Sequence, residues 1–179
     1  GNTLTFNALG IFHSAGKRAL FERDSEGRIV KLIDPNGHEQ LYGYDSNGDL
    51  ISHSDQEANT TAFAYNQNHG LLRITDPLGR TVARNEYDDQ GRLINSTNAD
   101  GRRVEFSHDL TSRQEIVTDA DGSFTVLEYD EAGNAVRVTD PLGGVTVNTY
   151  DGRGNQLTTT NPLGETITRT YDGRDNKLT

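Results

Sequence analysis

Several features that carry function in other proteins are missing from this sequence. It contains no cysteine, methionine or tryptophan. The absence of cysteine excludes a disulfide framework, a thiolate zinc site and a cysteine nucleophile. The sequence also lacks a transmembrane-length apolar run and a signal-peptide pattern, so it predicts no membrane insertion.

Positive charge is scarce as well. The chain has 17 Lys and Arg residues against 27 Asp and Glu residues, and its formal net charge of −10 is spread along the whole length. Binding to a phosphate backbone requires a stripe of basic residues. The sequence therefore predicts no nucleic-acid partner.

Apolar residues are few but regularly placed. They make up 32% of the chain, and the mean hydropathy is −0.74. A composition this polar is typical of disordered chains. However, the seven tyrosines, six phenylalanines and the β-branched residues recur at regular intervals, as a packed sheet requires. The spacing therefore predicts a folded repeat.

The tyrosines define this repeat. They lie about 21 residues apart, with one double step between Tyr87 and Tyr129 in which Ser107 takes the missing place. One tyrosine per repeat favours a packing spine, in which each ring covers its neighbour, over a ladder that stacks ligands. The repeat tyrosines are Tyr44, Tyr65, Tyr87, Tyr129, Tyr150 and Tyr171.

A shorter period comes from turns. At steps of ten or eleven positions the chain has Asp or Asn, two variable residues and then usually Gly. This pattern is typical of a type I turn closing a β-hairpin: Asp accepts backbone N–H groups, Pro presets φ and Gly takes a left-handed conformation. Four further turns have Ala58, His69, Ser112 and Asp175 at the glycine position and are expected to be looser or differently shaped. The predicted structural turn residues are Asp34, Pro35, Gly37, Asp45, Gly48, Asp76, Pro77, Gly79, Asp88, Gly91, Asp130, Gly133, Asp140, Pro141, Gly143, Asp151 and Gly154.

Between the turns, apolar and polar residues alternate. In NAVRVTD (134–140), Val136 and Val138 share one face while Arg137 lies on the other. The short spacing leaves no room for helices, so neighbouring strands must be sequential and antiparallel. The predicted fold class is all-β: tandem antiparallel β-hairpins of about 21 residues that form a long, curved meander sheet, part of a hollow shell or barrel. We expect residues 24–179 to form a single continuous sheet of such repeats.

Residues 1–23 depart from the pattern. GNTLTFNALG (1–10) is a degenerate copy of GNQLTTTNPLG (154–164), but IFHSAGKRALFER (11–23) fits no repeat and reads as an irregular insert. Two predictions remain open for this insert: a longer hairpin, or a short helix capped by Ser14.

No pattern predicts a catalytic, metal or cofactor site. GIFHSAGKR (10–18) lacks the spacing and the hydroxyl residue of a phosphate-binding loop. DSNGDL (45–50) and DADG (119–122) resemble calcium loops, but the twelfth position from Asp45 is Gln56, where such a loop needs Glu. The turn aspartates have N–H partners in their own turns, which favours capping over acid–base catalysis. The five histidines share no metal-ligand spacing: His13, His38, His53, His69 and His108.

The repeat motifs themselves resemble a known family. YDDQGRLINST (87–97), YDEAGNAVRVTDPLGG (129–144) and YDGRGNQLTTTNPLGETITRTYDGRDNKL (150–178) are similar to the YD-repeat, or RHS (rearrangement hot spot), family. The resemblance covers nearly all of the chain from Asp24 onward. The Tyr-Asp pair is replaced by Arg-Asp, Tyr-Asn and Ser-His at 23–24, 65–66 and 107–108.

The resemblance implies a β-strand shell that winds around and encloses a polypeptide, often a C-terminal toxin, in secreted or cell-surface bacterial proteins. It also implies adhesion, because related animal cell-surface proteins use the same repeat for that purpose. Many bacterial members end in a self-cleaving Asp-Pro-x-Gly segment. We do not assign DPLGG (140–144) to that role, because a further repeat with Tyr150 follows at once.

Two functions follow from the resemblance. The first is a non-catalytic structural segment of a shell, whose partners are the rest of its own parent chain: further YD repeats and an enclosed C-terminal toxin. The alternative is an adhesive or carbohydrate-binding surface with glycans as partners. Because the chain starts without Met and stops within a repeat, we expect it to be a piece of a larger secreted or cell-surface protein.

Overall fold

The structure is a computed structural model, and it describes residues 2–179. Within these residues there are seventeen β-strands of three to seven residues and no helix. The described chain accordingly has no helix long and apolar enough to cross a membrane.

The chain divides into two compact units, and each is described by itself. The first unit comprises Gly1–Gly91 and Thr97–Gly101. Its strands are β1 (Leu4–Asn7), β2 (Gly10–His13), β3 (Arg18–Arg23), β4 (Ile29–Ile33), β5 (Glu39–Tyr44), β6 (Leu50–Ser54), β7 (Thr60–Tyr65), β8 (Leu71–Thr75) and β9 (Thr81–Tyr87).

The second unit comprises Arg92–Ser96 and Arg102–Thr179. Its strands are β11 (Arg103–Asp109), β12 (Gln114–Thr118), β13 (Phe124–Tyr129), β14 (Ala135–Thr139), β15 (Val145–Tyr150), β16 (Gln156–Thr160) and β17 (Thr166–Thr168). Strand β10 (Leu93–Asn98) has residues in both units.

Strand pairing follows chain order in each unit. Consecutive strands pair antiparallel throughout the series β1 to β9, and again throughout the series β11 to β17. The predicted all-β class of tandem antiparallel hairpins is thus confirmed. That residues 24–179 form a single continuous sheet stays a prediction.

The insert at residues 11–23 is a hairpin. Strands β2 and β3 pair antiparallel, with Gly10 opposite Leu20 and Phe12 opposite Arg18. The Ser14 hydroxyl accepts a hydrogen bond from the Thr3 backbone N–H at 3.1 Å and caps no helix. The helix alternative is therefore wrong and the hairpin alternative is right. Ile11, His13 and Ala15 are spaced two residues apart, which is the period of a strand and does not match the apolar period of a helix.

β-Bulges recur beside the repeat tyrosines. Between β5 and β6 the register changes from Gly43 opposite Ser52 to Tyr44 opposite Leu50, which leaves Ile51 as the extra residue. Four other hairpins make the same step, and a bulge of this kind increases the local twist. The extra residue is aliphatic in all five hairpins: Val30, Ile51, Leu72, Val136 and Leu157.

Each unit has an apolar face but no enclosed core. Cross-strand neighbours such as Leu127 and Val138 share the face that carries the repeat tyrosines, which we call the tyrosine face. The opposite face is charged, with the Glu128 carboxylate 3.4 Å from the Arg137 guanidinium. No hydrophobic side chain of residues 2–179 is fully buried. Stability must therefore come from many half-buried contacts and from the hydrogen bonds of the ladder and turns.

Candidate functional site: the turns and the tyrosine face

The turn aspartates bond to their own turns. In the turn at 34–37, one oxygen of the Asp34 carboxylate accepts the backbone N–H of Asn36 at 2.7 Å and of His38 at 2.9 Å. The Gly37 N–H donates to the Asp34 carbonyl at 3.0 Å, and the Asp34 N–H donates to the His38 carbonyl at 2.9 Å. The same pattern recurs at Asp45, Asp76, Asp130, Asp140 and Asp151.

The second carboxylate oxygen has a partner at the fifth position of most turns. The Asn134 side-chain amide donates to Asp130 at 3.0 Å, and the Arg80 guanidinium donates to Asp76 at 2.7 Å. These side-chain hydrogen bonds, followed by the backbone N–H bonds, lower the pKa of both carboxyl groups. A general base at neutral pH needs a pKa near 7, so these two carboxyl groups are tuned away from acid–base catalysis.

Non-glycine residues adopt the glycine conformation at three turns. Ala58, His69 and Asp175 have φ of 62°, 62° and 64°, and each donates its backbone N–H to the first residue of its turn as Gly does elsewhere. The expectation that these turns differ in shape is wrong for these three. It is correct for the turn after Asp109, where Arg113 rather than Ser112 has a positive φ of 53°.

The repeat tyrosines lie along the tyrosine face, and most of their hydroxyls are bonded to the sheet. The Tyr44 hydroxyl donates to the Ile29 carbonyl at 3.0 Å, and the Tyr150 hydroxyl donates to the Ala135 carbonyl at 3.0 Å. Tyr87 and Tyr171 make the same bond to Leu71 and Gln156 at 3.0 and 3.1 Å. These bonds tie each ring to the start of an earlier strand of the same sheet, as a packing spine requires.

Two repeat tyrosines differ from the others. Burial raises the pKa of Tyr65, with a further contribution from the Asp49 and Asp45 carboxylates. Burial, followed by the Glu115 carboxylate, likewise raises the pKa of Tyr129. Within residues 2–179, neither hydroxyl makes the hydrogen bond to a strand carbonyl that Tyr44 and Tyr150 make.

His108, not Ser107, occupies the tyrosine position of the repeat between Tyr87 and Tyr129. Its Nε2 donates to the carbonyl of Leu93, the first residue of β10, at 2.8 Å, as a tyrosine hydroxyl does elsewhere. The assignment of Ser107 to this place is therefore wrong by one residue. The Tyr-Asp spacing could have shown this, because Asp109 follows His108 directly.

Two asparagines on the tyrosine face make hydrogen bonds that the sequence pattern did not predict. The Asn148 amide donates to the Ala135 carbonyl at 2.9 Å, the same carbonyl that Tyr150 uses, and Asn85 makes the equivalent bond to Leu71. Asn148 is 8% exposed. The available signal was Asn two residues before Tyr in VNTY and RNEY.

The remaining polar groups are dispersed. His38 lies beside Asp34, His53 packs on Tyr42 at 5.0 Å between ring centroids, and His69 pairs with Asp49 at 2.8 Å. In the part of the chain that the structure describes, no group of three or more His, Cys, Asp or Glu side chains could hold a metal ion. Residues 2–179 thus provide capped turns and a face lined by regularly spaced tyrosines, and they assemble no set of catalytic groups.

A known family model matches the repeats of this chain. The RHS repeat model matches residues 44–82, 87–123, 110–145 and 129–166, so three of its matches begin at a repeat tyrosine. The chain belongs to the RHS repeat family. The predicted family is thereby confirmed, and the tyrosine spacing on which it rested marks the repeat boundaries.

Solved structures share the RHS repeat fold of this chain. One is the Photorhabdus luminescens Tc holotoxin pore with a TccC3 mutation, which is 15% identical over 90% of this chain, with a TM-score of 0.59. Another is a crystal structure of TcdB2-TccC3-TEV, 14% identical over 98% of this chain, with a TM-score of 0.51. This chain spans 10% and 13% of those two chains. No curated protein matched the sequence.

Proposed function

We propose that this chain is a non-catalytic structural segment of an RHS-repeat shell that encloses a polypeptide cargo, such as a C-terminal toxin, in a secreted or cell-surface bacterial protein. Its partners are then the neighbouring repeats of its own parent chain and the enclosed polypeptide. The observation that carries this proposal is the RHS repeat match over most of the chain.

The burial pattern supports a wall rather than a solid domain. Every hydrophobic side chain of residues 2–179 keeps some solvent exposure, so neither unit closes around a core of its own. A sheet of this kind is suited to separating two spaces. The similarity to segments of the Tc toxin chains supports the fold only, because the identities are 15% and 14%.

The turn chemistry supports a role without catalysis. A catalytic carboxylate needs an unshared oxygen and a pKa matched to its task. The Asp76 and Asp130 carboxylates instead have both oxygens bonded within their turns, and their pKa values are lowered.

Protease protection tests the proposal in the parent protein. We expect the region that follows the RHS repeats to resist protease in the wild-type parent and to become sensitive when residues 130–139 are deleted, because that deletion removes one strand and one turn from the wall. A Leu142→Ser variant is the control, since Leu142 is 96% exposed at a turn tip and its change should leave protection intact. A C-terminal region that is equally sensitive in the wild-type parent would contradict enclosure.

The adhesive alternative makes a different prediction. Reproducible binding of this chain to saccharides on a glycan array, together with an unprotected C-terminal region, would favour an adhesive surface. If substitution of exposed residues on the tyrosine face abolished this binding, the saccharide site would lie on that face.

A further inference from the structure

One hairpin of the second unit differs from its sister hairpins in three ways at once. It consists of β11, the loop 110–113 and β12. It has His108 at the tyrosine position, Glu115 at the position of the aliphatic bulge residue, and Arg113 in a left-handed conformation. The three changes meet around a single cavity.

Glu115 brings a carboxylate onto the tyrosine face. Its counterpart one repeat later is Val136, the extra residue of a bulge. Here no bulge forms: the register runs evenly from Phe106 opposite Val117 to Asp109 opposite Gln114. Glu115 therefore lies opposite His108 and next to Leu127, with its carboxylate 3.3 Å from the His108 Nδ1 and its side chain 24% exposed.

Arg113 does not fill the place that its counterpart fills. That counterpart, Arg28, donates to the Asp24 carboxylate at 2.8 Å and lies over the Tyr44 ring, 4.8 Å from its centroid. Arg113 precedes Tyr129 by the same number of positions as Arg28 precedes Tyr44, but it pairs with Glu131 at 3.0 Å instead. In the described chain no cation lies over the Tyr129 ring, and Asp109 receives no bond from the fifth position of its turn.

A cavity of about 260 Å³ occupies this place. Tyr129, Glu115, His108, Asp109, Leu110 and Arg113 are among the residues that line it. The Tyr129 hydroxyl makes no hydrogen bond to a strand carbonyl, unlike the Tyr150 hydroxyl, and is available to a ligand. The His108 Nε2 donates to the Leu93 carbonyl, and its Nδ1 lies 3.3 Å from one oxygen of the Glu115 carboxylate. His108 therefore holds this carboxylate at the cavity, where its other oxygen can accept a hydrogen bond from a ligand.

We propose that this cavity binds a guanidinium group. The ring of Tyr129 offers a face for the planar cation, and the Glu115 and Asp109 carboxylates offer charged acceptors at its edge. The bound guanidinium then covers the Tyr129 ring and pairs with Asp109, just as the Arg28 guanidinium covers the Tyr44 ring and pairs with Asp24. This inference goes beyond the proposed function and does not depend on it.

A neighbouring cavity gives an internal comparison. It lies beside Tyr150 and Asn134 in the same unit. There the Asn134 amide already donates to Asp130 at 3.0 Å, and the Tyr150 hydroxyl already donates to Ala135. Because its acceptors and its hydroxyl are satisfied, we expect this cavity to bind the same cation much more weakly.

Titration of the isotope-labelled chain, followed by two-dimensional NMR at constant ionic strength, tests the proposal. The probe is methylguanidinium, and N-methylurea is its uncharged counterpart of similar shape. We expect saturable shifts of the backbone signals of residues 108–115 and 129 with methylguanidinium only. Glu115→Gln and Asp109→Asn should each weaken binding about tenfold, which is the effect of losing one charge-assisted hydrogen bond.

Glu128→Gln is the matched control. It makes the same change of net charge on the neighbouring strand, but Glu128 pairs with Arg137 on the opposite face, so binding should be unchanged. Asp109→Asn keeps the side-chain oxygen that accepts the Thr111 and Ser112 N–H groups, so it should preserve the turn, and it therefore tests the charge even if Glu115→Gln disturbs the hairpin. Equal shifts with N-methylurea, no saturation, or undiminished binding in both variants would overturn the proposal.

The source of the guanidinium is a separate arm of the same experiment. A short peptide with a central arginine is compared with one that carries citrulline at that place. Binding of the arginine peptide indicates that a side chain of a polypeptide reaches the cavity, whereas binding of methylguanidinium alone indicates a small free guanidine. Either pattern supports the site, and binding of both peptides equally would contradict it.

Discussion

At the scale of single residues, the abundant aspartates of this chain have a local structural task. In the turns that begin at Asp130 and Asp151, each carboxylate accepts two backbone N–H groups and a side-chain donor from the fifth position. These bonds supply partners for N–H groups that the strand ladder does not pair. An acidic, glycine-rich sequence can therefore result entirely from turn geometry, without a reactive site.

In the turn at 55–58, glycine at position 58 should make the folded chain more stable than the native alanine does. Ala58 has φ of 62°, a conformation that costs an L-amino acid roughly 1–2 kcal/mol relative to glycine. Part of that gain is lost because glycine also makes the unfolded chain more flexible. We expect Ala58→Gly to raise the free energy of unfolding by about 0.5–1 kcal/mol, measured by urea denaturation.

Ala132 provides the control for this prediction. It lies one position before the glycine of a sister turn and is not among the residues with positive φ. Ala132→Gly should therefore lower stability or leave it unchanged. If the two substitutions had the same effect, the left-handed conformation of Ala58 would not be the cause.

The tyrosine hydroxyls give a second prediction at this scale. Tyr150→Phe removes the 3.0 Å hydrogen bond to the Ala135 carbonyl, although Asn148 still donates to that oxygen. We expect a loss of about 1 kcal/mol in the free energy of unfolding, the usual net contribution of one hydrogen bond. Tyr129→Phe removes a hydroxyl that makes no such bond, so its loss should be clearly smaller. Equal losses would mean that the hydroxyl bonds do not hold the rings in place.

At the scale of elements, the sequence predicts where the chain turns better than how the strands pair. The regular recurrence of Asp-x-x-Gly predicts the hairpins, because the turn chemistry is local. The bulge that leaves Val136 unpaired depends on how two strands meet, and no local pattern marks it. The hairpin at 11–23 is hidden in the sequence for a different reason: its glycine-ended turn begins at His13 instead of Asp or Asn, and it falls outside the repeat spacing.

Gly10 shows a constraint that the sequence alone does not reveal. Its φ is 149°, and a Cβ at this position would overlap the Ala19 carbonyl oxygen of the paired strand. The glycine thus permits β2 and β3 to approach closely, which is one reason for glycine within a strand. In the sequence it resembles only the last residue of a degenerate turn.

The turns make the fold sensitive to acid. The Asn134 side-chain amide, followed by its backbone N–H, lowers the pKa of Asp130, so Asp130 stabilises the folded state above its unfolded pKa of about 3.9. That stabilisation is lost as the pH falls below this value and through the lower folded pKa. We expect the urea midpoint to fall between pH 5 and pH 2, and to fall less in Asp130→Asn than in the wild type.

Glu131→Gln is the control, because it changes the net charge of the same turn by the same amount as Asp130→Asn. Glu131 is 85% exposed and lies within the turn rather than at its first position. Asn66 and Asn161 begin turns of the same kind, so Asp130→Asn should preserve the turn while removing its titration. If Glu131→Gln reduced the acid sensitivity as much as Asp130→Asn, net charge rather than turn capping would account for it.

At the scale of the whole molecule, stability should be close to a sum over repeats and their neighbours, as in other repeat proteins. The sequence predicted this organisation and the family because the tyrosine and turn spacings persist through decay of individual repeats. It did not predict the cavity beside Tyr129. Replacement of Tyr by His108 and of an aliphatic residue by Glu115 looks like repeat decay until the fold brings the two side chains together.

Because the repeat consists of two strands, we expect a deletion of two strands to destabilise the fold less than a deletion of one. Deleting residues 130–150 joins Tyr129 to Asp151, which restores the Tyr-Asp motif and removes β14 and β15 together. Deleting only residues 130–139 also creates a Tyr-Asp junction, but it removes one strand, so every later strand must reverse its direction relative to its neighbours. It also removes the Ala135 carbonyl that Tyr150 and Asn148 use. We expect cooperative thermal unfolding, followed by circular dichroism, to persist in the two-strand deletion and to be lost or strongly shifted to lower temperature in the one-strand deletion. If both deletions unfolded alike, the single strand rather than the tyrosine-spaced hairpin would be the structural unit.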